Sequence, residues 1–297
     1  MIQKIFLILA LFSLLLSSCA QRSESLTEDS KNAESLTSET GMVMLKMPGQ
    51  TRYDSLTHKG LSYNAAKSWG LSEARAQNIM VAAIFPDEYQ NGIDHFYNQQ
   101  WSHAYMLNSS GSWMWGDADQ DYEQNLIGPK GGEGYDGKFA GYYYSKNDQY
   151  TGDAYVGYAM HYIEDGSIVV HTSFPSLSRS DILTKHLDFE TWLMVNTNDG
   201  HKLFDAAIQD NYYYPITGSL KNAFKSAAWN VCYWNSKSDI GKKVWDAYRN
   251  SGYPTKINSG SADLVYWSKK MLIEASRWAK GTVKYAMDYY GQWNNSY

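Results

Sequence analysis

Three observations predict an all-α protein built as a single multi-helix domain. Apolar residues recur three and four apart over segments 58–69, 72–84, 153–166, 181–195, 201–209, 219–234, 239–250 and 262–289, which is the period of amphipathic helices. The last segment is the clearest: Leu264, Trp267, Met271, Ala275, Trp278 and Val283 form one broad apolar stripe, the mark of a core helix. Beyond residue 41 neither an internal repeat nor a second linker interrupts the chain, and the remaining roughly 250 residues suffice for one large core.

Residues 1–19 have the character of a signal segment. Lys4 precedes an apolar run from Ile5 to Leu16, broken only by Ser13, which is short for a bilayer span and reads as a signal-peptide core. The run ends in Leu16, Ser17, Ser18 and Cys19, which resembles the bacterial lipobox. That resemblance implies a Cys19 that carries lipid as the first mature residue, and so an extracytoplasmic protein anchored to a bacterial membrane, the outer membrane or the cell surface. Residues 20–41 are rich in Ser, Thr, Glu and Asn and lack aromatics; such a stretch buries too little apolar surface to offset its ordering entropy, and reads as a flexible tether. Residues 42–297 are the globular part.

Between Tyr105 and Tyr150 the helical pattern dissolves into Gly, Asp, Asn and Tyr, which predicts a long irregular excursion that forms a rim of a cleft. Within it Asp117, Asp119 and Asp121 alternate like the opening of a calcium loop. Tyr122 stands where such a loop needs Gly, and the closing Glu is missing, so calcium is disfavoured.

The chemistry concentrates just beyond. His161 with Asp165, and His186 with Glu190, are two pairs at the spacing that puts side chains on one helix face, one turn apart. His171 lies between them, near enough for the same pocket. A solvated ion pair also satisfies either spacing by itself. Two pairs plus a bridging His, in a chain with seven histidines, point instead to a cation. Imidazole and carboxylate without thiolate suit zinc or a similar divalent ion, in a site that keeps a position open for water or substrate.

The run GYAMHYIEDGSIVVH, followed by H-x-x-x-E, resembles the zinc-dependent phospholipase C and P1-type nuclease superfamily, from about Thr57 to the C-terminus. The resemblance implies an all-helical domain holding two or three zinc ions in a cleft, and hydrolysis of phosphodiester bonds by metal-activated water. It implies His161 and Asp165 as ligands of paired ions, with Asp165 bridging, and His171, His186 and Glu190 as ligands of a further ion. Upstream it implies His58 as the early histidine ligand, and Asp87 in AAIFPDEY as ligand or catalytic base. One more histidine is required: His103 in QQWSHAY or His95 in DHFYN, with His103 preferred on the lengths of chain either side. The family's N-terminal Trp ligand has no counterpart, because no Trp precedes Trp69.

Substrate class is read from charge and anchorage. The formal charge is −5 with no basic run, which offers no electrostatic footprint for a stable nucleic-acid partner. A lipid-tethered enzyme with that balance points to phospholipid or another small phosphodiester, with a P1-type single-strand nuclease and a non-catalytic binding lipoprotein as the alternatives. No protein partner is inferable. With Cys19 lipidated, Cys232 in AAWNVCYWN is the one remaining cysteine, expected to be a buried, inert thiol. Most of the 25 Tyr and 11 Trp are expected to fill core and loops, with Tyr155, Tyr158 and Tyr162 near enough to the ligands to shape the site.

Overall fold

A computed structural model describes residues 55–88, 105–128, 138–173, 185–186, 188–190, 192–193, 210–254 and 261–294, together with two strands before residue 51. Those strands, β1 (Ser35–Thr37) and β2 (Val43–Leu45), pair antiparallel with Leu36 opposite Met44. They belong to a unit ending at Thr51, separate from the unit Arg52–Tyr297. The tether expected over 20–41 thus includes one strand of this pair. Cys19 lies outside the described residues.

The larger unit is all-α, as its periodicity predicts. Its helices are α1 (Ser55–Ser68), α2 (Glu73–Ala82), α3 (Phe85–Glu88), α4 (Ala118–Ile127), α5 (Ala140–Ser145), α6 (Gln149–Asp165), α7 (Val169–Thr172), α8 (Leu220–Val231), α9 (Ile240–Asn250) and α10 (Ala262–Tyr290). Every described position from Lys185 to Leu193 is helical as well. The helix expected over 201–209 lies outside the described residues. Among the described residues no helix is long and apolar enough to cross a membrane.

Among its described residues, 105–128 and 138–150, the excursion expected from Tyr105 to Tyr150 is largely regular, and there that expectation is corrected. A short hairpin, β3 (Met106–Leu107) with β4 (Trp113–Trp115), is followed by α4 and α5. Asp117 immediately precedes α4, and Asp119 and Asp121 lie in its first turn, where carboxylates complement the positive end of the helix dipole. Ala118, Tyr122 and Leu126 are fully buried one turn apart, a stripe that Gly and Asp on either side conceal.

Helix α10 is the spine of the fold. Ser261 caps its start by accepting a hydrogen bond from the Leu264 N–H, and Gly291, at φ +64°, ends it. Its 29 residues make about 44 Å of helix at 1.5 Å per residue, enough to serve two apolar clusters. Trp278, Val283 and Met287 pack in one with α1, α2, α4, α6 and α8. Leu264, Met271 and Leu272 pack in the other with Val169, Val170, Trp192 and α9. The turn from α6 to α7 passes from the first cluster to the second, and there the expected ligands lie.

Helix α6 packs on α1, α2, α4, α5 and α10. The contact with α2 depends on Gly157, where a Cβ would stand 2.5 Å from the Ile79 carbonyl oxygen and 2.6 Å from the Ala82 Cβ. An ion pair is buried in the same packing. Arg75 donates Nε and Nη2 to the two Asp153 oxygens at 2.7 Å each, and Nη1 to the Gln292 and Asn294 carbonyls. Tyr144 donates its hydroxyl to Asp153 as well. The residues after α10 are thereby tied back onto α2 and α6.

Candidate metal centre

Two candidate ligand groups meet at Asp165. His58 on α1 joins His161 and Asp165 on α6, while His171 on α7 joins His186 and Glu190. Spacing explains the members from one element. His161 and Asp165 sit one helical turn apart, with His161 Nε2 3.2 Å from Asp165 Oδ2. His186 and Glu190 repeat this, with Nε2 and Oε1 2.5 Å apart.

The remaining members arrive through the fold. α1 delivers His58, whose Nε2 lies 3.2 Å from Asp165 Oδ1. The short turn after α6 brings His171, whose Nε2 is 2.7 Å from Glu190 Oε1, 3.1 Å from His186 Nε2 and 3.5 Å from Asp165 Oδ1. Asp165 therefore faces three imidazoles with two oxygens.

Ring orientation in the first group is set by groups behind it. His58 Nδ1 is 2.7 Å from Glu164 Oε2, and His161 Nδ1 is 2.8 Å from the Ala83 carbonyl oxygen. A carbonyl oxygen accepts only, so His161 carries its proton on Nδ1 and turns the Nε2 lone pair toward Asp165. Glu164 holds His58 in the same sense, and its other oxygen accepts from the Ser62 hydroxyl at 2.7 Å. Such outer partners are what metal-binding imidazoles require. Both were missed in the sequence: Ala83 acts through its backbone, and Glu164 is one of many carboxylates until α1 packs against it.

Burial makes these charges interact strongly. It pushes the Glu164 carboxyl up to about 7, against the opposing pull of His58 and Ser62. Burial by itself would lower the His58 pKa, but Asp165 and Glu164 overcome it and hold His58 well above the ordinary value. Burial would likewise raise Glu190, yet His186 and His171 keep it well below the usual carboxylate range. Each group thus concentrates negative charge beside imidazole nitrogen, the setting that favours a cation.

The donor set fits zinc. Two atoms each about 2.1 Å from a tetrahedral ion stand about 3.4 Å apart, and the first group, at 3.2 Å for both His–Asp165 pairs, already has that spacing. The second group is drawn together by short charged hydrogen bonds. A small cavity between α1 and α6 opens on both groups, lined by Thr57, His58, Leu61, Asp165, Ile168 and Glu190 among others. The Thr57 hydroxyl is buried there with no hydrogen-bond partner among the described residues.

The other expected site residues fare differently. Asp87 lies on α3, with its side chain outside what is described, and His95 and His103 lie outside the described residues. Tyr105, two residues after His103, donates its N–H to the His171 carbonyl at 2.9 Å. Of the three tyrosines expected to shape the site, Tyr162 sets its ring edge-on to His161 at 5.4 Å. Tyr155 and Tyr158 instead join a row of rings with Tyr143 and Phe85. Cys232 is a fully buried free thiol, its pKa raised by burial.

The course of this chain resembles that of two clostridial toxins. With the alpha-toxin of Clostridium perfringens isolated from avian strain SWCP, the TM-score is 0.46 at 15% identity, covering 82% of this chain and 66% of the toxin. With the alpha toxin of Clostridium absonum, the TM-score is 0.49 at 15% identity, covering 84% of this chain and 68% of the toxin. The chain spans about two thirds of the length of each. No protein-family model and no curated protein matches it. The reading of the site rests on its ligand geometry.

Proposed function

We propose that this protein is a zinc-dependent phosphodiesterase of the phospholipase C kind, acting on phospholipid. The observation that carries the proposal is Asp165, whose oxygens face His58 and His161 separately and whose Oδ1 also approaches His171. One carboxylate shared by the imidazoles of its own group and approached by a histidine of the next is the arrangement that holds cations a few ångströms apart.

In this reading His58, His161 and Asp165 hold the paired ions, with Asp87 and His103 completing that set, and His171, His186 and Glu190 hold a further one. The backbone bond from Tyr105 to His171 supports His103 over His95. The bound ions supply Lewis-acid polarisation of a phosphoryl oxygen and acidify a water toward neutral pH. Glu164 and the Ala83 carbonyl keep the imidazoles oriented, Asp165 holds the two groups in register, and the Thr57 hydroxyl is placed to donate to a phosphate oxygen. Asp87 serves as ligand or as proton acceptor.

Lipid is favoured over nucleic acid by the walls of the cavity. Leu61, Ile168 and Leu193 line it, and among the described residues no Phe, Tyr or Trp ring does so, which suits acyl-linked phosphodiesters better than stacked bases. The formal charge of −5 points the same way. Lipidation of Cys19, with residues 20–41 as tether and residues 42–297 as the catalytic domain, places the enzyme extracytoplasmically on a bacterial membrane.

Elemental analysis of protein purified without chelator, followed by parallel assays on phosphatidylcholine and single-stranded DNA, tests the proposal. Two or more zinc ions per chain, with phosphatidylcholine cleavage abolished by His161→Ala and by Asp165→Ala, are expected. Cleavage of DNA alone would make the protein a nuclease, and failure to take up zinc would leave a binding module built on this fold.

A further inference from the structure

At the far end of α10 lies a cleft that the metal centre does not use. Met271 of α10 lies beside Val169, two residues from His171, with its sulfur 3.4 Å from the Val169 N–H. Tyr285 is fourteen residues further along the same helix, about 21 Å away at 1.5 Å per residue. The cleft there measures about 350 Å³ and lies between α10 and the segment 213–217. That volume is within the range of small-molecule sites.

Its floor is aromatic. Tyr285 and Tyr289, one helical turn apart, hold their rings nearly parallel, 16° between planes and 5.4 Å between centroids. Tyr289 is 62% exposed, so its ring presents a face to solvent. Tyr213, Pro215 and Ile216 form the opposite wall.

Within this apolar frame stands one charged pair, Lys284 with Asp288, at 2.7 Å. The pair is fixed from behind. Lys284 Nζ lies 5.2 Å from the Trp69 ring and 5.5 Å from the Trp293 ring, and Trp293 donates its indole N–H to Asp288 Oδ1. The pair carries no net charge, yet it offers an ammonium donor and a carboxylate acceptor side by side.

The wall is held rigidly against the helix. Tyr214 donates its N–H to the Arg277 carbonyl and its hydroxyl to Glu274, and Arg277 grips both oxygens of Asp210. At Gly281 a Cβ would stand 2.1 Å from the Tyr214 carbonyl oxygen, so only glycine lets the segment lie this close. The cleft is therefore preorganised.

We propose that this cleft binds a neutral saccharide, with a sugar ring laid on the outer face of Tyr289, which Tyr285 backs by stacking, and its hydroxyls bonded to Lys284 and Asp288. A sugar ring has an apolar C–H face for the tyrosines and a rim of hydroxyls that both donate and accept. An anion gains nothing from Lys284 that Asp288 does not cancel, and a cation meets the reverse. A neutral polyhydroxylated ring is the class that uses all four residues.

Saturation-transfer NMR on the full chain with maltotetraose, cellotetraose, mannotetraose and chitotetraose tests this, with choline and a proline-rich peptide as ligands of other classes. Transfer to at least one saccharide is expected. It should weaken by roughly ten-fold in Tyr289→Ala and in Tyr285→Ala, the order of one lost aromatic contact. It should persist in Tyr289→Phe, which keeps the ring, and in His186→Ala, which alters the metal centre. No transfer from any of the four, transfer that survives both alanine substitutions, or transfer from choline or the peptide alone overturns the proposal.

Discussion

Glu164 accepts from His58 Nδ1 at 2.7 Å while its sequence neighbour Asp165 faces His58 Nε2 at 3.2 Å, so consecutive carboxylates grip opposite sides of one ring. The ring is thereby presented to Asp165 with its orientation already set.

Replacing Glu164 by Gln should keep the fold and weaken the first ligand group. Loss of an outer partner of a metal-binding imidazole typically costs ten- to about a hundred-fold in affinity. Zinc competition against a chromogenic chelator should show this drop with the melting temperature of the zinc-free protein little changed. Unaltered zinc affinity would separate Glu164 from the centre.

Removing metal from the wild type should lower stability without unfolding it. Two apolar clusters hold the domain, so bound zinc should contribute by linkage alone, about 2.7 kcal/mol at a hundred times its dissociation constant. Calorimetry with and without chelator should give two cooperative transitions, the chelated one lower. Complete loss of the transition would mean that the ligand groups, and not the clusters, hold the fold.

Thr57→Val separates stability from activity. The buried hydroxyl lacks a partner, so an apolar isostere should be neutral or slightly stabilising, within about 1 kcal/mol. If the hydroxyl meets the phosphate, turnover of phosphatidylcholine should fall at the same time. A fall in stability with unchanged turnover would assign Thr57 to packing.

Gly157→Ala should push α2 away from α6 and cost about 1–3 kcal/mol by overpacking. Since Ala83 follows α2 and accepts from His161, zinc affinity should fall with stability. Urea unfolding and zinc titration of one preparation measure both.

Arg75→Ala should be more damaging than any of these. It leaves Asp153 buried without its charge partner and releases the Gln292 and Asn294 carbonyls, a change of about 3–5 kcal/mol. Equilibrium denaturation, with the midpoint read by far-ultraviolet dichroism, checks it.

Much of this was legible in the chain. Helical periodicity announces α1, α2, α6, α8, α9 and α10 within a few residues of where they lie, because each buries one continuous apolar face. The spacings of His161 with Asp165 and of His186 with Glu190 depend only on helix geometry, and they hold. α4 and α5 escaped because glycine, aspartate and tyrosine around them mask a short stripe, and burial of Tyr122 and Leu126 comes from neighbours rather than local propensity. What only the tertiary structure decided is how the ligands meet. His58 lies more than a hundred residues from Asp165, and a backbone carbonyl at Ala83 has no signature in side-chain types, so both depend on α1 and α2 closing against α6. Local spacing determines which side chains share a helix face, whereas packing determines which faces converge on one site.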